Sequence, residues 1–201
     1  ENPLDSDKNN TYVLNIQARD IANNTSTQQL TVTVTDIDDS APTITTISST
    51  TNNGEYGIGS SIAIAIEFSE VVIVDTSGGT PSLQLETGTN DQEVNYSSGS
   101  NTNTLVFNYV VAEGDLSSDL ALKSTSALST NGGTIRDAAG NDASLVLPSP
   151  GNSNSLSFNK SLIVDGIAPV LSTPAPININ ENAANNHQLH NFNDLSGGDT
   201  D

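Results

Sequence analysis

The chain has 201 residues and carries 24 acidic against 5 basic side chains, for a net charge of -19. This acidity argues against a nucleic-acid-binding protein, which needs a basic surface, and against attraction to anionic membranes. The absence of cysteine excludes disulfides, thiol chemistry and cysteine-ligated zinc, and no run of 18 apolar residues predicts a membrane-inserted segment.

The first predicted elements are two strands joined by a turn. Residues 12–18 and 29–34 alternate apolar and polar side chains with the period of two of a half-buried strand. Residues 19–25 between them are rich in turn-forming residues. Because a two-stranded hairpin is marginal in water, we expect residues 1–39 to be part of a larger domain.

The second strand runs into a cluster of carboxylates. Asp36, Asp38 and Asp39 lie within four residues and precede an Ala-Pro pair, and a later strand ends in Asp165 before a second Ala-Pro pair. Two carboxylates about 4 Å apart repel by about 1 kcal/mol even in water, and Ca²⁺, which prefers oxygen ligands, would neutralise them. The alternative is a solvated acidic turn. The two repeats predict junctions that bracket one complete domain, residues 40–166.

Three motifs in residues 1–39 occur in a familiar order: Leu4-Asp5-Ser6-Asp7, then Ala18-Arg19-Asp20, then the Asp36 to Asp39 cluster with its Ala-Pro pair. This order resembles the C-terminal half of a cadherin repeat. The resemblance implies calcium between domains, bound by the acids of the first and third motifs, with Asp20 serving the opposite end of its own repeat. The chain departs from the cadherin pattern where Asp7 replaces Glu, Asp38 replaces Asn and Ser40 replaces Asn.

The central segment contains eight candidate strands separated by Gly- and Asn-rich loops, which predicts a β-sandwich. The clearest alternation is in the isoleucines of residues 62–66 and the apolar residues of 105–109. The predicted strands cover residues 43–48, 61–68, 71–75, 82–86, 93–97, 104–111, 144–147 and 155–164, and a helical turn is predicted at 117–122.

Several short motifs along this segment form a recognisable series. They include Phe68-Ser69-Glu70, Gly79-Thr80-Pro81, Asn131-Gly132-Gly133, Asp137-Ala138-Ala139-Gly140-Asn141 and Leu147-Pro148. The series is similar to the immunoglobulin-like repeats of giant bacterial surface adhesins, including the RTX type. The resemblance implies a module repeated in tandem outside the cell, with no catalytic activity.

The last segment, residues 167–201, contains Ile177-Asn178-Ile179-Asn180-Glu181 and ends in Asp199-Thr200-Asp201. These motifs are similar to the start of a cadherin repeat, and they imply calcium ligands at Glu181, Asp199 and Asp201, with Asp165 and Glu181 forming a second junction site. Residues 1–39 and 167–201 could pair as a split domain, within one chain or between neighbours, or their boundaries could be arbitrary. Pairing within one chain requires the two ends of the central module to lie close together.

Other polar residues receive structural predictions. We expect residues 137–142 to form a turn that an aspartate side chain stabilises, in preference to an ion site. We expect Asp115 and Asp119 to lie in a loop that caps a helical turn. We expect Glu67 and Glu70 to lie on a solvent-facing rim. Neither histidine has a third zinc ligand nearby, and no nucleophile motif precedes a helix.

These observations predict an all-β protein: an immunoglobulin-like β-sandwich flanked by two partial cadherin-like halves. The predicted function is a calcium-rigidified extender region of a bacterial cell-surface adhesin, extracellular, with neighbouring repeats as partners and no enzymatic activity. The alternative is a module that binds glycan or protein through loops 52–59 and 90–104, displayed on a split cadherin-like scaffold.

Overall fold

The structure is a computed structural model that describes residues 11–34 and 38–170. Within them it contains short and long β-strands and a single turn of helix. In chain order these are β1 (Thr11–Arg19), β2 (Thr25–Thr33), β3 (Ile44–Ser49), β4 (Gly54–Gly57), β5 (Ser61–Asp75), β6 (Ser82–Glu86), β7 (Gln92–Ser98), β8 (Thr102–Val110), β9 (Leu116–Ser117), β10 (Ala121–Leu122), β11 (Leu128–Ser129), β12 (Thr134–Arg136), α1 (Leu156–Asn159) and β13 (Leu162–Asp165).

Strands β1 and β2 form the predicted antiparallel hairpin. The register runs without interruption from Thr11 opposite Thr33 to Arg19 opposite Thr25. The turn between the strands places Asn23 in the left-handed region at φ 70°, a conformation that asparagine tolerates better than most residues. The sequence prediction of a hairpin here is confirmed.

The remaining strands form the sandwich. The larger sheet has the order β10-β6-β7-β8-β5-β12, with β11 pairing β6 and β3 pairing β5, and a three-stranded sheet has the order β4-β13-β9. The pairings are antiparallel except for β13 with β4, which is parallel. The prediction of an all-β sandwich is confirmed.

The core lies between these sheets and begins with the pairing of β5 and β8. Ile62 lies opposite Tyr109, and Ile64 lies opposite Phe107; all four side chains are fully or almost fully buried. Val164 of β13 closes the core from the second sheet. Burying a large apolar side chain stabilises the fold by about 1.5–3 kcal/mol, so the alternation read from the sequence accounts for much of the sandwich.

Four local predictions are wrong. Residues 61–75 form one strand rather than two, because apolar side chains alternate inward through both halves. Residues 117–122 contain parts of β9 and β10 rather than a helical turn, since they pair with distant strands. Residues 155–164 contain α1 before β13. Residues 144–147 form no strand, and the backbone N–H groups of Ser144 and Leu147 donate to Pro42 and Thr125.

The central module has its two chain ends at opposite poles. At the N-terminal pole, the backbone N–H of Ser69 donates to the carbonyl of Thr43. At the C-terminal pole, Gly166 lies beside Asp115, and the N–H of Gly166 donates to the Asp115 carbonyl at 2.6 Å. Strand β5 spans the module from Ser61 to Ser69, about 26 Å at ~3.3 Å per residue. Pairing of residues 1–39 with residues 167–201 stays a prediction, because residues 1–10, 35–37 and 171–201 lie outside the described residues.

Candidate metal centre

Three carboxylates converge at the N-terminal pole from separate parts of the chain. Asp38 belongs to the segment that leads into the module, Glu70 lies in β5, and Asp137 follows β12. One carboxylate oxygen of each lies within 4.8 Å of the others. The group forms where the linker meets the sandwich, the place at which the sequence predicts a junction site.

Glu70 reaches this group because of the alternation of β5. Phe68 and Val72 face inward and are buried, and Glu70 occupies the position between them on the same face, half-buried. Burial, followed by the charges of Asp38 and Asp137, raises the pKa of the Glu70 carboxyl above its usual 4.5. The ionised form of Glu70 is therefore disfavoured unless a positive charge compensates it.

Asp137 is the most buried of the three, with 4% of its surface exposed. Its Oδ1 accepts hydrogen bonds from the backbone N–H of Gly140 at 2.7 Å and of Asn141 at 2.8 Å, which confirms the predicted aspartate-stabilised turn. Burial acts to raise the pKa of Asp137, but the hydrogen bonds from Asn141, Gly140 and Ala139 outweigh it, so the pKa lies below the usual 3.8. This carboxylate is held in its charged form.

Asn141 ties the linker to the module. Its Nδ2 donates to Asp137 Oδ2 at 2.7 Å and to the carbonyl of Asp38 at 3.0 Å, with a longer contact of 3.4 Å to the carbonyl of Ser40. The N–H of Ser40 in turn donates to Asp38 Oδ1 at 3.1 Å. One amide side chain thus positions Asp38 beside the buried Asp137.

The donor set fits a hard divalent cation. Ca²⁺ binds six to eight oxygens at 2.3–2.6 Å, so two oxygens on one ion lie at most about 5 Å apart. The separations within the group satisfy this limit. Three carboxylates would supply about half of a calcium shell, and backbone carbonyls or water would complete it.

The predicted ligands within the described residues do not all join this group. Asp38 and Asp39 are both exposed, but the group includes Asp38 and not Asp39. Asp165 lies at the C-terminal pole, where its Oδ1 accepts the N–H of Ile167 at 2.9 Å. Apart from Asp20, the other predicted ligands lie outside the described residues, namely Asp5, Asp7, Asp36, Glu181, Asp199 and Asp201.

Asp20 closes the turn of the hairpin. Its carboxylate accepts hydrogen bonds from the N–H of Ala22 and from the N–H and Nδ2 of Asn24, all at 2.8–2.9 Å. The side-chain bond from Asn24 is the main cause that lowers the pKa of Asp20. The turn lies at the far end of β2 from Asp38, so these two carboxylates belong to opposite ends of the hairpin.

Sequence reasoning missed Glu70 and Asp137 as members of the group. A signal for Glu70 was present: continuing the alternation of residues 62–68 by one step places it on the inward face. Treating β5 as two strands concealed this step. Asp137 was assigned to its turn correctly, but its proximity to the linker depends on a contact between residues about a hundred positions apart.

A second buried carboxylate, Asp115, lies at the C-terminal pole. It accepts hydrogen bonds from the Tyr109 hydroxyl at 2.6 Å, from Gln92 Nε2 at 2.8 Å and from the Ala112 N–H at 2.8 Å. Burial, and then the bond to Asp115, raises the pKa of the Tyr109 hydroxyl well above its usual 10.0. The predicted helical cap is wrong here, because no helix follows and three donors surround the carboxylate instead.

Comparisons of the chain with protein-family models, with curated proteins and with solved structures gave no match. Within the described residues, no helix has the length and apolar character needed to cross a membrane. The fold and the site together define a β-sandwich module with an acidic group at its N-terminal pole.

Proposed function

We propose that this chain is an extender region of a bacterial cell-surface adhesin and that Ca²⁺ stiffens the junction before its central module. The observation that carries the proposal is the convergence of Asp38, Glu70 and Asp137 where the linker meets the sandwich. This is a place where an ion would connect two parts of the chain.

The electrostatics explain how an ion would act. Like charges this close repel, and burial together with this repulsion raises the pKa of Glu70. Asp38 is on the linker, so in the absence of a cation the repulsion favours a linker that bends away. A bound Ca²⁺ would neutralise the three carboxylates and connect the linker to β5 and to the turn after β12 in one rigid unit.

The position of the chain ends supports a spacer. The polypeptide enters the module beside Ser69 and leaves it beside Asp115, at opposite poles. A module with this arrangement adds its own length to a tandem array, about 26 Å for the part of β5 that separates the poles. Neighbouring repeats of the same polypeptide are then its main partners.

The proposed location is outside the cell. A chain without cysteine must be stabilised by its core, by metal or by its neighbours, and calcium sites of extracellular modules bind at about 10⁻⁴–10⁻³ M. The resemblance to adhesin repeats points to the same compartment. Asp165 with Glu181 remains a prediction for a second calcium site at the C-terminal junction.

Calcium titration of the full chain by calorimetry, combined with small-angle X-ray scattering in calcium and in chelator, tests the proposal. We expect binding at about 10⁻⁴–10⁻³ M and a larger maximum dimension with calcium. Asp38→Asn should weaken binding at least tenfold, whereas Glu67→Gln, an exposed acid on the outward face of the same strand as Glu70, should leave it unchanged. An unchanged maximum dimension together with no binding at millimolar calcium would refute the proposal.

A further inference from the structure

The three-stranded sheet β4-β13-β9 has an outward face near the C-terminal pole. The even-numbered residues of β13 are buried in the core, so Ile163 and Asp165 point outward. Residues that pair across neighbouring strands lie on the same side of a sheet. Ile163 therefore lies beside Glu55 of β4, and Asp165 lies beside Leu116 of β9. Each pair combines one apolar side chain with one carboxylate.

This face lines an open groove with a volume of about 510 Å³. Its apolar side chains are Leu116, Ile163 and Ile167, which are 54%, 39% and 50% exposed. Glu55 and Asp165 line the same groove. The volume lies in the range of about 300–1,000 Å³ that holds a drug-sized ligand. The groove is therefore suited to a few side chains of a partner and not to a folded domain.

The two carboxylates of the groove lack a cationic partner among the described residues. The ion pairs found there involve Lys123 and Arg136, and neither of these side chains contacts Glu55 or Asp165. The Oδ1 atom of Asp165 accepts the N–H of Ile167 at 2.9 Å, which holds this carboxylate beside the apolar surface. Unpaired carboxylates next to exposed apolar side chains favour a ligand that carries both positive charge and apolar stems.

The spacing of the two carboxylates matches that of alternate residues in an extended chain. Glu55 lies opposite Ile163, and Asp165 is two residues further along the neighbouring strand. With strands about 4.8 Å apart and a rise of about 3.3 Å per residue, the two backbone positions are about 8 Å apart. In an extended peptide, side chains two residues apart lie on one side with a spacing of about 7 Å.

We propose that this groove binds an extended segment of another protein that carries arginine at two alternate positions. The guanidinium groups would pair with Glu55 and Asp165, in the bidentate geometry that arginine forms with carboxylates and lysine does not. The aliphatic stems of the arginines would cover Leu116, Ile163 and Ile167, since long basic side chains bury their stems along apolar surfaces.

The sequence of this chain favours a different protein over a second copy as the partner. No two of its five basic residues are two positions apart, namely Lys8, Arg19, Lys123, Arg136 and Lys160. A second copy therefore does not offer the required pattern. The net charge of -19 repels another copy and attracts a basic partner over a longer range.

Two peptides of equal charge test the proposal with the full chain. The probe is a five-residue peptide with blocked ends, arginine at its second and fourth positions and threonine elsewhere. The control peptide has its arginines at the second and third positions, so that in an extended chain they point to opposite sides. Binding is followed by backbone amide chemical shifts of the isotope-labelled chain in chelator, because the proposal does not depend on the calcium sites.

Matched variants separate this groove from the general acidity of the chain. Glu55→Gln and Asp165→Asn each remove one carboxylate, and the asparagine oxygen can still accept the N–H of Ile167. The control is Asp75→Asn, because the Oδ1 of Asp75 accepts the N–H of Ser77 at 2.8 Å in the same kind of turn. It removes the same charge from an exposed position outside the groove.

We expect the probe to shift the amides of Leu116 and Ile163 and to bind more tightly than the control peptide. Glu55→Gln and Asp165→Asn should each weaken binding by up to about fivefold, and Asp75→Asn should leave it unchanged. Equal affinity for the two peptides, or equal weakening by Asp75→Asn, would mean general attraction to an acidic chain and would overturn the proposal. Shifts confined to other residues, or no shift with either peptide, would overturn it as well.

Discussion

Glu70 is a carboxylate on the inward face of a strand, between Phe68 and Val72. Inward positions of a sandwich are normally apolar, and a charge there is disfavoured unless it is paired. Its neighbours Asp38 and Asp137 increase the cost instead of reducing it. Because perturbed pKa values cluster at functional sites, this local conflict supports the calcium site that we propose.

Replacing Glu70 should therefore stabilise the metal-free protein. Folding raises the pKa of the Glu70 carboxyl above its usual 4.5. The contribution of this group to the free energy of unfolding is therefore fully present below pH 4.5 and is lost as the pH rises through the raised pKa. In chelator, Glu70→Gln should raise the melting temperature at pH 7, and it should have little effect near pH 4, where both side chains are mostly neutral. Calcium should raise the melting temperature of the wild type more than that of the variant.

Thermal unfolding followed by circular dichroism at both pH values provides the measurement. Glu67→Gln is the control, because Glu67 is exposed on the outward face and contacts Asn103. If Glu70→Gln lowered the melting temperature at pH 7 in chelator, the carboxylate would be stabilising by itself and the interpretation of the group as repulsive would be wrong.

Asp115 shows the opposite arrangement, a buried carboxylate whose donors satisfy it. Asp115→Ala removes the acceptor of the Tyr109 hydroxyl, the Gln92 amide and the Ala112 N–H, and it should destabilise the module by about 2–4 kcal/mol in urea unfolding. Tyr109→Phe removes one donor and should cost about 1–2 kcal/mol. Asp119→Ala, at an exposed position, should change stability by less than about 0.5 kcal/mol.

At the scale of elements, β5 connects the two poles. Its first half pairs with β3 and β8 and its last residues pair with β12. The register with β8 shifts between Glu67 and Val72, so the strand leaves the ladder where Glu70 lies. The same strand therefore supplies core side chains along its length and a carboxylate at the N-terminal pole.

The exit of the chain is held by close backbone packing around Gly166. A Cβ at this position would lie 2.3 Å from the carbonyl oxygen of Ala112 and 2.8 Å from the backbone N and O of Asp115. Gly166→Ala should destabilise the module by about 2 kcal/mol or more in urea unfolding, because backbone atoms must move. Gly57→Ala is the control: the nearest atom to its added Cβ is 3.7 Å away, so an equal loss in both variants would contradict the steric explanation.

At the scale of the whole molecule, the net charge of -19 opposes compaction. Raising the salt concentration from about 10 mM to 0.15 M shortens the screening length from about 30 Å to 8 Å, so the metal-free protein should melt a few degrees higher. Millimolar calcium at constant ionic strength should add a further increase. Magnesium, which demands octahedral geometry and dehydrates reluctantly, should raise the melting temperature less than calcium does. If calcium and sodium at matched ionic strength raised the melting temperature equally, the effect would be general screening and not calcium binding.

The strands of the hairpin and of the core follow from the sequence alone, because a period of two is a local property of the chain. Isoleucines 62–66 and the apolar residues of 105–109 were assigned to buried faces without knowledge of their partners. The sequence also shows that the acids cluster near the junctions. It did not determine the short strands β9 and β10 or the helix α1, whose conformation depends on contacts with distant residues.

Which carboxylates meet depends on the tertiary structure. Asp38, Glu70 and Asp137 are far apart in sequence, and they converge because β5 passes the pole where the linker arrives and the turn after β12 lies at the same pole. The tertiary structure also placed the two chain ends of the module at opposite poles. Both results depend on how strands are arranged in the sheets, which local periodicity does not encode because many pairings share the same alternation.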